Sequence, residues 1–146
     1  MALEIHQKQI EGITILELRG RLVAGAESAD LRQRVGQELE AGHKYLILDI
    51  RHVNFIDSSG LGTLVIAHTQ LTRVGGAVKL LNLSKRNVQL LIITKLSTVF
   101  EIFDDEQAAV NSFFPDRERK AFDILEFVKS HEDDTQQLSE ERDKTA

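Results

Sequence analysis

The stretch Tyr45-Leu46-Ile47-Leu48-Asp49-Ile50, then Arg51-His52-Val53-Asn54, then Phe55-Ile56-Asp57-Ser58-Ser59-Gly60-Leu61-Gly62, decides how this chain is read. The first six residues form an apolar run that reads as a buried strand, with helices packed on both faces. The next four read as a short link. A helical pattern follows, starting near Ser58 or Ser59, with Leu61, Leu64, Val65, His68 and Leu71 on one stripe. Asp57 or Ser58 can cap that helix by accepting from a free backbone N–H two or three residues on. A strand that ends in a Ser-Ser-Gly turn at a helix start displays hydroxyls beside unpaired N–H groups.

Working outward, Gly75-Gly76 ends this helix and Ala77-Val78-Lys79-Leu80-Leu81 is the next strand. Strand, helix, strand makes a crossover unit with parallel strands. Upstream, Leu31, Val35 and Leu39 mark one stripe of a helix from about Ala26 to Glu40, stopped at Gly42. Before it, Leu3 to Ile10 and Ile13 to Leu18 read as a hairpin turned at Glu11-Gly12, with Gly20 breaking the pattern. Downstream, Ser84 caps a short helix carrying Val88, Leu91 and Ile92, and Val99 to Phe103 reads as an edge strand. Asp104 or Asp105 caps a last helix containing Ala108, Ala109, Val110 and Phe113, and Pro115 marks a boundary. The expected architecture is α/β: one domain over residues 3–114, with a mixed four- to five-stranded sheet and about four helices.

Residues 115–146 read as a C-terminal extension. Phe122, Leu125, Phe127 and Val128 form one short amphipathic segment, expected to pack on the domain or to support a homodimer. From Lys129 the chain carries six acids against Lys129, Arg142 and Lys144, the composition of a disordered acidic tail.

The 146 residues, 42% hydrophobic and 28% charged, suit one domain with a real core. A net charge of -5 argues against nucleic-acid binding, which draws on clustered Lys and Arg. The lack of cysteine removes disulfides, thiolate metal sites and a Cys nucleophile. No apolar run is long enough to span a membrane, and the N-terminus has no signal-peptide pattern, so the chain reads as cytoplasmic.

A serine nucleophile needs an adjacent base and oxyanion donors. His52 and His68 are the histidines nearest in sequence to the turn; His68 lies on the inward stripe, more than two turns from the helix start, and no G-x-S-x-G elbow is present. Gly60-Leu61-Gly62 precedes no Lys-Ser/Thr pair, so it is no Walker loop and is read as close packing at a tight turn. Asp49 and Asp57 could meet at the strand end, but two acids are a weak metal signal. No cofactor, metal or catalytic residue is expected. The remaining chemistry is phosphate acceptance at Ser58 or Ser59, which adds about -1.5 to -2 charges at one surface point. The plain structural alternative is that both serines only cap the helix.

Phe55-Ile56-Asp57-Ser58-Ser59-Gly60-Leu61-Gly62 resembles the signature of STAS domains of the bacterial anti-sigma factor antagonist family. The likeness runs from about Ile5 to Phe114 and includes Gly20-x-Leu22, the Tyr45 to Asp49 strand and Gly75-Gly76. It implies partner switching without enzymatic activity. The unphosphorylated form binds an anti-sigma factor that is also a serine kinase, and so releases a sigma factor. Phosphorylation at Ser58 breaks that complex and a serine phosphatase restores it. Ser59 would support the turn and touch the partner, and Asp57 would shape the loop. The family alternative is a scaffold subunit of a signalling or lipid-transport complex. Either way the expected binding face comprises Asp57, Ser58, Ser59, Gly60, Leu61, Gly62, Thr63, Ile66, Ala67 and Gln70. One departure is Val23, where many members carry an acidic residue near the phosphorylation loop.

Overall fold

The computed structural model describes residues 3–117 and 122–130. Five strands form one sheet in the order β1-β2-β3-β4-β5. They are β1 (Glu4–Ile10), β2 (Ile13–Leu22), β3 (Tyr45–Ile56), β4 (Ala77–Leu81) and β5 (Ile102–Phe103). β1 pairs antiparallel with β2, and each later pair is parallel. The sheet is therefore mixed, as the hairpin followed by crossovers predicts. The helices are α1 (Ala26–Glu40), α2 (Ser58–Arg73), α3 (Lys85–Ile93), α4 (Glu106–Asn111) and α5 (Ile124–Ser130).

Leu46, Ile47, Leu48 and Ile50 of β3 are all fully buried. Burying each such side chain is worth about 1.5–3 kcal/mol, so this run anchors the fold. Alternation divides it between two cores. Leu46, Leu48 and Ile50 join Leu31 and Val35 of α1, Leu64 and Leu71 of α2, and Leu91 of α3. Ile47 points the other way, to Phe103 and to Ala108, Ala109 and Val110 of α4. Three helices thus cover one sheet face and α4 covers part of the other.

Several boundaries differ from the expected ones. The link Arg51-His52-Val53-Asn54 is strand: β3 runs on to Ile56 because β2 also runs on, through Gly20 to Leu22. The pairs Arg19 with His52, Gly20 with Val53 and Leu22 with Ile56 hold this extension, across two register shifts. Such bulges hide a strand from an alternation test. At the other edge, Val99 and Phe100 lie outside β5; a 3-10 turn, Leu96–Thr98, takes up the chain before it. Phe113 lies beyond the end of α4, although it packs on the second core.

Beyond Pro115, α5 begins close to the outer sheet edge. The Phe122 N–H donates to the Ile102 carbonyl of β5 at 2.7 Å. Phe122 and Ile124 pack on the larger core, and Phe122 also contacts Phe127, ring centroids 5.8 Å apart. Leu125 stays exposed. The acidic stretch after Ser130 lies outside the described residues. No helix among the described residues is long and apolar enough to cross a membrane.

Candidate functional site

The Ser-Ser turn sits where β3 ends and α2 begins, and two hydrogen bonds of Asp57 tie it to the end of β2 and the loop that follows. Asp57 is the N-cap residue, with extended backbone, and its Oδ1 accepts from the Gly60 N–H at 2.8 Å. Its other oxygen, Oδ2, accepts from the Ala24 N–H at 3.0 Å, across to the β2–α1 loop. The Asp57 N–H donates to the Leu22 carbonyl at 3.2 Å. One residue therefore caps α2 and ties two loops together.

These contacts also set the charge state of Asp57. The Gly60 N–H contributes most, then the Ala24 N–H, and together they hold the carboxyl below its ordinary value. The Ser59 N–H and the Arg21 charge act in the same direction, while burial opposes them. Hydrogen bonds to the ionised form favour it. Asp57 is a carboxylate at neutral pH.

Because Asp57 provides the cap, Ser58 is left over. Ser58 and Ser59 are both exposed on the first turn of α2. The Ser59 carbonyl accepts from the Thr63 hydroxyl at 3.0 Å, so its backbone serves the helix. The choice between Asp57 and Ser58 as cap is settled for Asp57.

The two glycines that follow play different parts. A Cβ built on Gly60 would lie 2.1 Å from the Leu22 carbonyl oxygen, so only glycine fits there. A Cβ on Gly62 would meet nothing within 4 Å. Close packing explains the first glycine and not the second. Gly62 is exposed, and a glycine inside a helix costs about 1 kcal/mol relative to alanine.

Burial redraws the exposed side of α2. Thr63 and Ala67, expected on the outer face, are 3% and 2% exposed. With Gly60, Leu64 and Leu71 they form the inward stripe. The outer stripe reads Ser58, Gly62, Ile66 and Gln70, residues four apart and all exposed. Ile66, at 43% exposure, is the large apolar side chain on it. Leu61 is half-buried and packs against the core. His68 lies inward, its ring 5.5 Å from that of Phe100.

Asp49 and Asp57 do not converge. Because β3 continues to Ile56, seven residues of extended chain lie between them, a separation of about 25 Å. No group of three or more His, Asp or Glu among the described residues is arranged to hold a metal ion.

Sequence reasoning missed the basic and aromatic neighbours of the turn. Phe55 is the penultimate residue of β3, two positions before Asp57, and two guanidinium groups lie over its ring. Arg21, from β2, is 5.6 Å from the ring centroid, and Arg86, from α3, is 5.1 Å. These three residues come from three elements, and no local pattern joins them. Val23, the departure noted above, is half-buried, and its carbonyl accepts both the N–H and the hydroxyl of Ser28.

The STAS domain family model matches residues 4–109. The anti-sigma-B factor antagonist of Bacillus subtilis is 28% identical over 110 residues, covering 75% of this chain and 99% of that protein. An anti-sigma factor antagonist from Mycobacterium paratuberculosis has a similar crystal structure, with a TM-score of 0.67 at 16% identity, covering 75% of this chain and 92% of that one. The Bacillus cell fate determinant SpoIIAA in its phosphorylated form gives a TM-score of 0.60 at 20% identity, covering 75% and 99%. The two structural likenesses are likenesses of fold. The chain belongs to the STAS domain family.

Proposed function

Starting from that membership, we propose that this chain is a cytoplasmic anti-sigma factor antagonist that works by partner switching. Its unphosphorylated form binds an anti-sigma factor with serine kinase activity and so frees a sigma factor. Phosphorylation of Ser58 ends the complex and a serine phosphatase resets it. The chain contributes binding and accepts a phosphate; it carries out no chemical step of its own.

The observation that carries this reading is the division of labour at the turn. Asp57 caps α2 and holds the loop, which leaves the Ser58 hydroxyl exposed and outside the capping contacts. A serine kept only as a cap would be redundant there. A phosphate on Ser58 would stand at a helix start, where backbone N–H groups and the macrodipole favour an anion. The neighbouring Asp57 charge opposes it in part. A partner lying over Ser58, Gly62, Ile66 and Gln70 would meet that charge directly, without any refolding of the domain. Buried Thr63 and Ala67 would act through packing rather than contact.

The test is to incubate the chain with ATP and the serine kinase encoded beside it, then map the modified residue. Phosphate on Ser58 is the expected result. Ser58→Asp should weaken kinase binding at least tenfold while the melting temperature stays within about 2 °C, because the cap is untouched. No phosphate at Ser58 would overturn the switch and favour a scaffold built on the same face.

A further inference from the structure

A second concave surface adjoins the turn. It is a groove of about 360 Å³ between the end of β3 and α3, lined by Phe55, Ile56, Arg86, Leu90 and Ile93 among others. Asn87 fixes its wall: this buried side chain donates from Nδ2 to the Val53 carbonyl at 3.2 Å, pinning α3 to β3. Arg86, Leu90 and Ile93 then lie on one stripe of α3, at spacings of four and three, with Arg86 and Ile93 exposed and Leu90 half-buried against the core. Ile93 is 79% exposed, the most exposed large hydrophobic among the described residues. An apolar group this bare, beside a half-buried aromatic ring, costs solvation in the free chain and is the kind of surface partners cover.

The charge on this surface runs against that of the chain. The net charge is -5, yet among the described residues Arg86 is the one charged residue lining the groove, and Arg21 lies over the same Phe55 ring. Both guanidinium groups lie within cation–π range of the Phe55 ring at the rim. Guanidinium groups match carboxylates two bonds at a time.

We propose that this groove extends the docking face and takes a partner segment that presents a carboxylate next to an apolar side chain. The carboxylate pairs with Arg86, with Arg21 beside it, and the apolar side chain covers Phe55, Leu90 and Ile93. The inference rests on the docking reading of the adjoining Ser58 turn, and it adds the chemistry that the partner must carry. Charge of this kind selects partners and speeds encounter more than it adds raw affinity.

The test uses the full chain, isotope-labelled for NMR, and two capped hexapeptides of alternating Glu-Leu and alternating Lys-Leu. The Glu-Leu peptide is expected to shift the signals of Phe55, Arg86, Leu90 and Ile93 saturably, and the Lys-Leu peptide is not. Arg86→Glu should weaken the acidic peptide about tenfold and admit the basic one. That substitution sits on the first turn of α3, where an acid suits the helix dipole, so folding should survive. Ile93→Ser, at an exposed position, should weaken the acidic peptide without changing the charge preference. Shifts located elsewhere, or a preference unaltered by Arg86→Glu, would overturn the proposal. So would equal binding of a short single-stranded DNA, which would make the groove a general anion site. None of these measurements involves phosphorylation, so their failure leaves the Ser58 switch standing, and failure of Ser58 phosphorylation leaves them standing.

Discussion

Two polar regions of this molecule treat their charges in opposite ways. One is the Ser58 turn. The other is a cleft of about 390 Å³ on the sheet face that α4 covers only in part, lined by Lys8, Glu17, Asp49, Arg51, Asp104 and Glu106 among others. In the cleft, charges are largely answered from within. Lys8 Nζ lies 2.5 Å from Glu106 Oε1. Asp49 Oδ1 accepts from the Arg51 N–H at 3.2 Å and from Asn82 Nδ2 at 3.3 Å. At the turn, Asp57 is answered by backbone N–H groups, and the hydroxyls, Arg21 and Arg86 around it face solvent. The cleft is richer in charge, yet its groups hold one another. The turn is poorer in charge, and its hydroxyls and guanidinium groups stand exposed.

The sharpest way to break the comparison is at the paired glycines. Gly60→Ala forces a Cβ against the Leu22 carbonyl, which already accepts from the Asp57 N–H. Overpacking of this kind, against backbone that cannot swing away, should cost on the order of 3 kcal/mol in a denaturant titration. Gly62→Ala should instead stabilise the fold by about 0.5–1 kcal/mol, because it meets nothing and suits a helix better. Kinase binding should nevertheless weaken if the outer stripe of α2 is the docking face proposed above, since the added methyl group stands on it. A Gly62→Ala variant with unchanged binding would remove Gly62 from that face.

A smaller effect tests the charge of Asp57. Its folded value lies below the ordinary 3.8, so the unfolded chain takes up the proton first as pH falls. The stability Asp57 contributes is therefore present in full above about pH 5 and is lost as pH falls through its folded value. The difference in melting temperature between the wild type and Asp57→Asn should hold level from neutral pH down to about 5 and shrink at lower pH. A difference that grew on acidification would reverse the assignment.

The smallest effect belongs to the cleft. The Glu106 hydrogen bond, then the Glu106, Glu17 and Asp49 charges, raise Lys8 above its ordinary 10.5 against a lesser burial cost. A raised lysine contributes stability that is present at neutral pH and lost as pH rises through the folded value. The pair is half-exposed, so Lys8→Met should cost only ~0.5 kcal/mol at neutral pH and less in high salt.

Much of this was legible because it is local. The periodicity of Leu31, Val35 and Leu39 and the stop at Gly42 mark α1 as it stands, Ala26–Glu40. The Ala77–Leu81 strand and the Ser84 cap are equally local, and the last cap was narrowed to Asp104 or Asp105, of which the structure uses Asp105. The Asp-Ser-Ser-Gly run announces a helix start from the residues alone, since a cap needs only the next three N–H groups. Other features depend on what lies alongside. The late residues of β2 and β3 are strand because each supplies the other's hydrogen bonds across two bulges. Thr63 and Ala67 are small enough to sit under a neighbouring element, so hydrophobicity alone places them outside when they are inside. Arg21, Phe55 and Arg86 are up to 65 positions apart in the chain and meet only when β2, β3 and α3 are in place.

The sequence by itself therefore determined the order of elements and where the helices start, because each rests on contacts within a few residues. Only the tertiary structure decided which side of α2 faces out, why Gly60 must be glycine while Gly62 need not be, and which charges remain unanswered. Those depend on how closely distant backbone segments approach, and no local pattern encodes that distance.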